Sequence, residues 1–223
     1  MALDPPSRSC GGEELARIGF DGRRAAEDQE EWCCNGPRRE TQELIDVLLA
    51  EGVTGASVLD IGAGVGAVHI SLLEAGAADA VDVDASPDYL DAARAEAERR
   101  GLAGRVDYRL GDVVELAADL PPPEIVTADS VICCYPYLPE LLAAATRSGP
   151  RLVGLTYIHD AWWLRVMMRM SNAMWWSRGL PDRWSIHRHA EVDRLMAEAG
   201  YAVIHDGRTR WWRVAVYRRV TAR

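Results

Sequence analysis

Short apolar runs alternate with longer stretches of helical spacing over most of this chain. The runs Ser57–Ile61, Ala80–Asp84, Val106–Leu110, Ile125–Ala128 and Leu152–Tyr157 read as strands. Between them the spacing predicts helices over Val65–Ala75, closed by Gly76, from Pro87 to Gly101, and over Pro139–Arg147. Ser86 is suited to cap the second of these, with Pro87 in its first turn. A preceding helix, Pro37–Glu51, carries the stripe Leu44, Val47 and Leu48 and stops at Gly52. A last helix, Glu191–Ala199, leads to strands Tyr201–His205 and Trp211–Tyr217. Alternating strand and helix implies right-handed crossovers and an α/β, doubly wound, mostly parallel sheet. The last two strands are joined too tightly for a crossover, so they form an antiparallel hairpin.

Two stretches break this rhythm. Residues 1–35 are polar and punctuated by Gly and Pro, with no clear apolar period. They read as an N-terminal arm, mobile or folding over the active site, ahead of a single domain at 36–223. Residues 158–189 hold five of the eight tryptophans and four of the six methionines. There Trp163, Met167, Met170 and Met174 share one helical stripe, and Arg165, Arg169 and Asn172 another. The segment is expected to be a cap that walls an apolar pocket, with packing on the sheet or on a second subunit as the alternative.

Composition narrows the function. A chain of 223 residues with net charge −9 is no general nucleic-acid binder. All 25 basic residues are arginine, which excludes a Schiff-base lysine. No apolar run approaches the about 20 residues that span a bilayer, and no leading segment has the form of a signal peptide. Five cysteines, including the pairs Cys33-Cys34 and Cys133-Cys134, are not a disulfide framework; a cytoplasmic location is the simplest reading.

The chemistry gathers at strand ends. Val58-Leu59-Asp60-Ile61-Gly62-Ala63-Gly64-Val65-Gly66 is a strand, an acid and three alternate glycines, a backbone able to lie against a nucleotide-like ligand. Its third glycine comes one residue earlier than the dinucleotide fingerprint requires. Asp84 ends the second strand at nearly the about 20-residue spacing of a ribose-binding carboxylate. Gly111-Asp112 follows the third strand, and Asp129-Ser130 the fourth.

In order, these motifs resemble the class I S-adenosylmethionine-dependent methyltransferases of small-molecule type. The glycine loop is similar to that family's first motif, Val83-Asp84-Ala85-Ser86-Pro87 to its second, and Gly111-Asp112 to its adenine-contacting motif. Glu124–Asp129 resembles the strand leading to its active-site loop. The resemblance covers roughly residues 36 to 219 and implies a seven-stranded Rossmann-like methyltransferase fold with an antiparallel last strand. It assigns S-adenosylmethionine as cofactor, with S-adenosylhomocysteine as product. Asp60 would orient the loop and the methionine part, and Gly62, Gly64 and Gly66 would give backbone approach. Asp84, with Ala85, would bind the ribose, Asp112 with Val113 the adenine, and Asp129 would face the same crevice.

The acceptor side is less marked. Cys133-Cys134-Tyr135-Pro136-Tyr137 stands where many enzymes acting on amide-like nitrogen carry Asn-Pro-Pro-Tyr. His187 is the first candidate for a general base and His159 the second, with Asp160 and His189 nearby. Tyr135, Trp163, Arg165 and Met167 are candidates to contact the acceptor. His69 is expected to pack and His205 to face the hairpin. No metal site is expected, though Cys33, Cys34 and Cys134 leave a soft-metalloid reading open. The expected activity is methyl transfer to a small hydrophobic or aromatic acceptor, oxygen ahead of nitrogen or sulfur. A non-catalytic cofactor-binding sensor or partner subunit stays open, as does a homodimer. A nicotinamide-dependent oxidoreductase is disfavoured by the early third glycine.

Overall fold

The computed structural model describes residues 21–178 and 185–220. Most of the expected arm at 1–35, and Trp184 of the expected cap, lie outside the described residues. Seven strands form one sheet in the order β3-β2-β1-β4-β5-β7-β6. They are β1 Ser57–Ile61, β2 Asp79–Asp84, β3 Val106–Leu110, β4 Ile125–Asp129, β5 Leu152–Ile158, β6 Tyr201–Arg208 and β7 Trp212–Arg219. The first five are parallel to their neighbours, and β7 runs antiparallel between β5 and β6. The doubly wound sheet and its reversed last hairpin are as the sequence predicts. The order reverses between β1 and β4, where a doubly wound sheet opens a crevice beyond its strand ends.

Each face of the sheet carries its own core. Leu59, Ile61, Val81, Val83 and Val126 pack on the side of α6 (Leu138–Thr146) and α8 (His189–Glu198). Val58, Ala80, Ile125 and Val214 pack on the side of α2 (Arg39–Ala50), α3 (Ala67–Glu74) and α4 (Pro87–Arg99). The α2 stripe is Leu44, Ile45 and Leu48, and it presses close on β5. A side chain at Gly154 would meet Leu44 Cδ1 at 2.7 Å. At α4, Ser86 caps the Tyr89 amide and Pro87 opens the helix, as expected.

The described part of the segment before residue 36 is helical and lies along the crevice, in keeping with the alternative of an arm folding over the active site. Residues Gly22–Asn35 form helix α1, capped by Asp21, whose carboxylate accepts the Arg24 amide. Ala25 and Trp32, seven apart and so on one face, are buried. Trp32 lies under the Arg100 guanidinium at 4.5 Å, and the Tyr89 hydroxyl donates to Asp28 at 2.5 Å. Helix α1 is thereby fastened to α4 along the edge of the crevice.

The Trp/Met segment differs from its expectation. Helix α7 (Trp162–Trp176) buries Leu164 against Cys133 and Ile158, with Met168 half-buried beside them. The stripe expected to wall a pocket lies on the other side: Met167, Met170 and Met174 are exposed. Trp163 is half-buried and packs edge-to-face on Trp211, ring centroids 5.1 Å apart.

Candidate active site

The loop after β1 is shaped from below. Asp60 is fully buried at the end of β1. One of its oxygens accepts the Thr127 hydroxyl of β4 at 2.6 Å. The other accepts the His69 amide at 3.2 Å and lies 3.0 Å from the His69 ring nitrogen Nδ1. One carboxylate thus joins two strands to the first turn of α3, meeting one of that helix's unpaired amides. His69, expected only to pack, is its partner. Asp60 does not line the cavity above, so its part is to hold the loop from behind.

Glycine is required in this loop for two reasons. Gly62, Gly64 and Gly66 all have positive φ, at 60°, 59° and 84°. Side-chain space is closed as well. A Cβ at Gly62 would meet Val131 Cγ2 at 2.6 Å, and one at Gly66 the His69 ring at 2.8 Å. The third glycine therefore leaves room for the buried imidazole that braces Asp60.

Above the loop is a cavity of about 250 Å³. Gly62–Val65 and Asp84–Ser86 form one side, and Asp129–Val131, Cys134 and Tyr135 another. Asp84 accepts the Ser86 amide at 2.8 Å and the Gly64 amide at 3.2 Å, which ties β2 to the glycine loop. Burial pushes the Asp84 carboxyl up to about 6, against the pull of those two amides. Asp82 lies two residues back, fully buried and without a hydrogen-bond partner. Burial, with Asp60 and Asp84 alongside, holds its carboxyl well above the usual carboxylate range.

A hollow of about 140 Å³ adjoins, sharing Gly62, Ala85, Val131 and Tyr135 with the first. Ile61, Val83, Val113 and Leu141 give it apolar walls, and Asp112 and Glu115 are the carboxylate residues that line it. Asp112 caps the Val114 amide with one oxygen and accepts the Tyr135 hydroxyl at 2.8 Å with the other. An apolar slot with carboxylate acceptors at its margin suits a flat base bearing an amino group. The donor set therefore fits an adenosine-type ligand: Asp84 for vicinal hydroxyls, Asp112 for the base, and the glycine loop between them.

The far wall comes from the segment expected either to be mobile or to fold over the active site. It comes from α1 and its approach to α2: Asp28, Glu31, Trp32, Arg38 and Thr41 all line the cavity, as does Tyr89. Thr41 donates to Asp129 at 2.6 Å, and Thr156 of β5 donates to the same carboxylate. Next to it Ser130 has φ 64°, the one positive value at a non-glycine among the described residues. That turn directs Val131, Cys134 and Tyr135 into the cavity. Which of the segment's side chains face the cavity has one local sign, the spacing of Asp21, Ala25, Asp28 and Trp32.

The other acceptor-side candidates stand outside the cavity. His187 Nε2 donates to the Tyr135 carbonyl at 2.9 Å, which steadies the loop that carries Tyr135. His159 packs edge-to-face on His189, ring centroids 4.8 Å apart, with its Nδ1 buried and unpartnered. Trp163, Arg165 and Met167 do not line the cavity either. His159, Asp160 and His189 offer atoms within 4.8 Å of one another. However, the Asp160 amide donates to His189 Nε2 at 3.1 Å, which turns that ring's remaining N–H toward the Asp160 carboxylate. The imidazole is left without a lone pair for an ion. The metalloid reading gains nothing: no such cluster among the described residues includes a cysteine. Cys133 and Cys134 lie with sulfurs 3.7 Å apart, and burial beside Cys134 keeps the Cys133 thiol protonated. His205, on β6, pairs with Glu43 at 2.9 Å.

A sequence profile described as a methyltransferase domain matches residues 58–148. Over 77 residues the chain is 43% identical to the release factor glutamine methyltransferase of Cereibacter sphaeroides, a stretch that is 34% of this chain and 27% of that protein. Over 108 residues it is 33% identical to the ribosomal protein L11 methyltransferase of Edwardsiella ictaluri, 48% of this chain and 35% of that protein. Both matches span well under half of the relative's own length. Among solved structures, the magnesium protoporphyrin IX methyltransferase of Synechocystis, solved with bound SAH, superimposes with a TM-score of 0.72 at 17% identity, covering 93% of this chain and 100% of that one. An O-methyltransferase family protein of Burkholderia thailandensis gives 0.69 at 16%, covering 96% and 64%. The profile falls on the strand ends that frame the cavity, and methyltransferases of known structure share the sheet: residues 58–148 match a methyltransferase domain, set in a sheet of the methyltransferase fold.

Proposed function

We propose that this protein transfers a methyl group from S-adenosylmethionine to a small hydrophobic or aromatic acceptor, with oxygen the favoured atom. The observation that supports this reading is the continuity of the site. One cavity leads from Asp84 and the glycine loop to a wall containing Trp32, Tyr89 and Tyr135. Aromatic walls suit a flat, apolar acceptor. Methylation of a protein amide, the activity in the release factor enzyme's name, fits less well. Here β4 runs into Asp129-Ser130-Val131-Ile132, not Asn-Pro-Pro-Tyr.

The bound cofactor supplies an electrophilic methyl carbon on a sulfonium. The chain holds the donor at Asp84 and Asp112, aligns an acceptor along the aromatic wall, and excludes water with α1. As the oxygen–carbon bond forms and the carbon–sulfur bond breaks, an acceptor hydroxyl loses its proton. Asp28, Glu31 and Asp129 are the carboxylates placed in the cavity to take it, and His187 has a positioning part behind Tyr135. A turnover screen with labelled methyl donor over aromatic hydroxyl and carboxylate acceptors tests the reading. Tight cofactor binding by calorimetry with no turnover on any acceptor would make the protein a sensor instead.

Asp84 gives this site a pH signature. Its carboxyl is raised to about 6 in the free protein, and ribose hydroxyls donate best to its ionised form. Affinity for S-adenosylhomocysteine should therefore climb as pH rises to about 6 and level off above it. The folded-state value exceeds the unfolded one, about 3.9, so the same group destabilises the free fold progressively over that interval. Asp84→Asn should flatten the binding profile and weaken affinity by about 1–3 kcal/mol. A profile that keeps its slope in Asp84→Asn would assign the titration to another group.

A further inference from the structure

We propose that the outward face of α7, together with the turn between β6 and β7, seats this protein on an anionic lipid surface. The helix is amphipathic in the reverse of the usual sense. Its polar-to-apolar division places Trp162, Val166, Met170 and Met174 toward solvent, while Leu164 alone among its residues is fully buried. Trp162 is 72% exposed, Met170 70% and Trp176 77%, a density of exposed large apolar side chains that a free surface does not ordinarily carry. The tip of the hairpin extends the patch. Trp211 is 43% exposed, and Arg210 lies over both Trp163 and Trp211, at 5.5 and 5.7 Å.

Charge identifies the occupant. Residues 161–178 contain Arg165, Arg169 and Arg178 and no acid, in a chain of net charge −9. The described residues of α7 thus present apolar and cationic side chains with no acid among them. Tryptophan at both ends of a helix, methionine between and arginine alongside is the composition of a helix lying in the headgroup layer, where indole and guanidinium both find partners. The helix is about 22 Å long at 1.5 Å per residue, too short to cross a bilayer and long enough to lie on one. A second copy of the chain is a poorer occupant. Pairing two such faces would set arginine against arginine, with no acid in the segment to answer either.

Flotation of the full chain with vesicles tests the assignment, using pure phosphatidylcholine and an equal mixture with phosphatidylglycerol. The expected result is about tenfold more protein on the anionic vesicles, with the difference lost at high salt. Trp162→Ser combined with Met170→Ser should lower binding to both by about tenfold. Arg169→Glu combined with Arg178→Glu should remove the preference for the anionic vesicles. None of these residues touches the cavity, so S-adenosylhomocysteine affinity, measured in parallel, should be unchanged and confirms that each variant is folded. Absence from both vesicle types, or equal binding to the two, would overturn the proposal. So would a lipid-free dimer by ultracentrifugation that the Trp162/Met170 variant dissociates, which would give the face to a second copy.

Discussion

Gly66→Ala should lose about 3 kcal/mol of stability and nearly all cofactor affinity together, because two independent penalties fall on one methyl group. The first is conformational: φ is 84°, and a left-handed residue with a Cβ costs about 1–2 kcal/mol. The second is steric, since the new carbon would sit 2.8 Å from the His69 ring and 3.1 Å from Ile70 Cδ1. A loosely held side chain would move aside. His69 cannot do so readily, because it is fully buried and its Nδ1 is fixed by Asp60. Overpacking of that kind costs about 1–3 kcal/mol. Relieving it by turning the imidazole breaks the contact that braces the glycine loop, so affinity should fall with stability. Thermal melts and calorimetry with S-adenosylhomocysteine check both. Gly64→Ala is the control. A Cβ there would meet only Tyr89, at 3.7 Å, so the variant should show the conformational penalty without the steric one. Equal losses in the two variants would refute the steric argument.

The largest effect on stability alone is expected at Arg213. Its side chain is 1% exposed, at the start of β7, and its guanidinium meets four acceptor oxygens on three residues. Nε donates to Asp206 at 2.6 Å, Nη1 to the Tyr157 hydroxyl at 2.6 Å, and Nη2 to both oxygens of Asp193 at 3.0 and 3.1 Å. Tyr217 also donates to Asp193, at 2.6 Å. Arg213→Ala should cost about 3–5 kcal/mol, nearer the lower figure because Asp193 and Asp206 can recover water when the cation is gone. Arg213→Met, which keeps volume without charge, should lie between. Acid titration separates charge from packing. Hydrogen bonds from Arg208 and Arg213 hold the Asp206 carboxyl down at about 2. Its stabilisation is complete above the unfolded value of about 3.9 and is lost as pH falls toward about 2. Arg213→Ala should diminish that acid-side loss in urea melts, and an unaltered acid slope would leave Arg208 as its whole cause.

The uneven legibility of this chain has a physical basis. Gly62, Asp84 and Asp112 stand beside the strands that place them, so a local pattern carries both fold and chemistry. The antiparallel closing hairpin was readable for the same reason, since so short a link as that before β7 admits no crossover. That the leading segment folds over the cavity was one of two expectations, but which of its side chains face the cavity was not readable. Trp32 owes its place to Arg100 and Asp28 to Tyr89, partners more than sixty residues away that no local period announces. Helix α7 misled for the opposite reason. Its apolar stripe is real, but periodicity says only that one side is apolar, not which side meets the protein. Leu164 and Met168 settled that, and the conspicuous residues were left outside. His187 was chosen for its chemistry at neutral pH, yet the position of its ring is set by the Tyr135 carbonyl.

The position of β7 between β5 and β6 has a consequence for how the chain is made. Synthesis proceeds in residue order, so β6 emerges before β7, its only neighbour in the sheet. Until β7 follows, β6 has nothing to pair with, and β5 presents a bare edge. A sheet of β1–β5 therefore keeps an exposed border until the β6–β7 hairpin docks on it. Arg213, on the inserted strand, is the bolt of that closing step, and the chain remains open to mispairing until it is home.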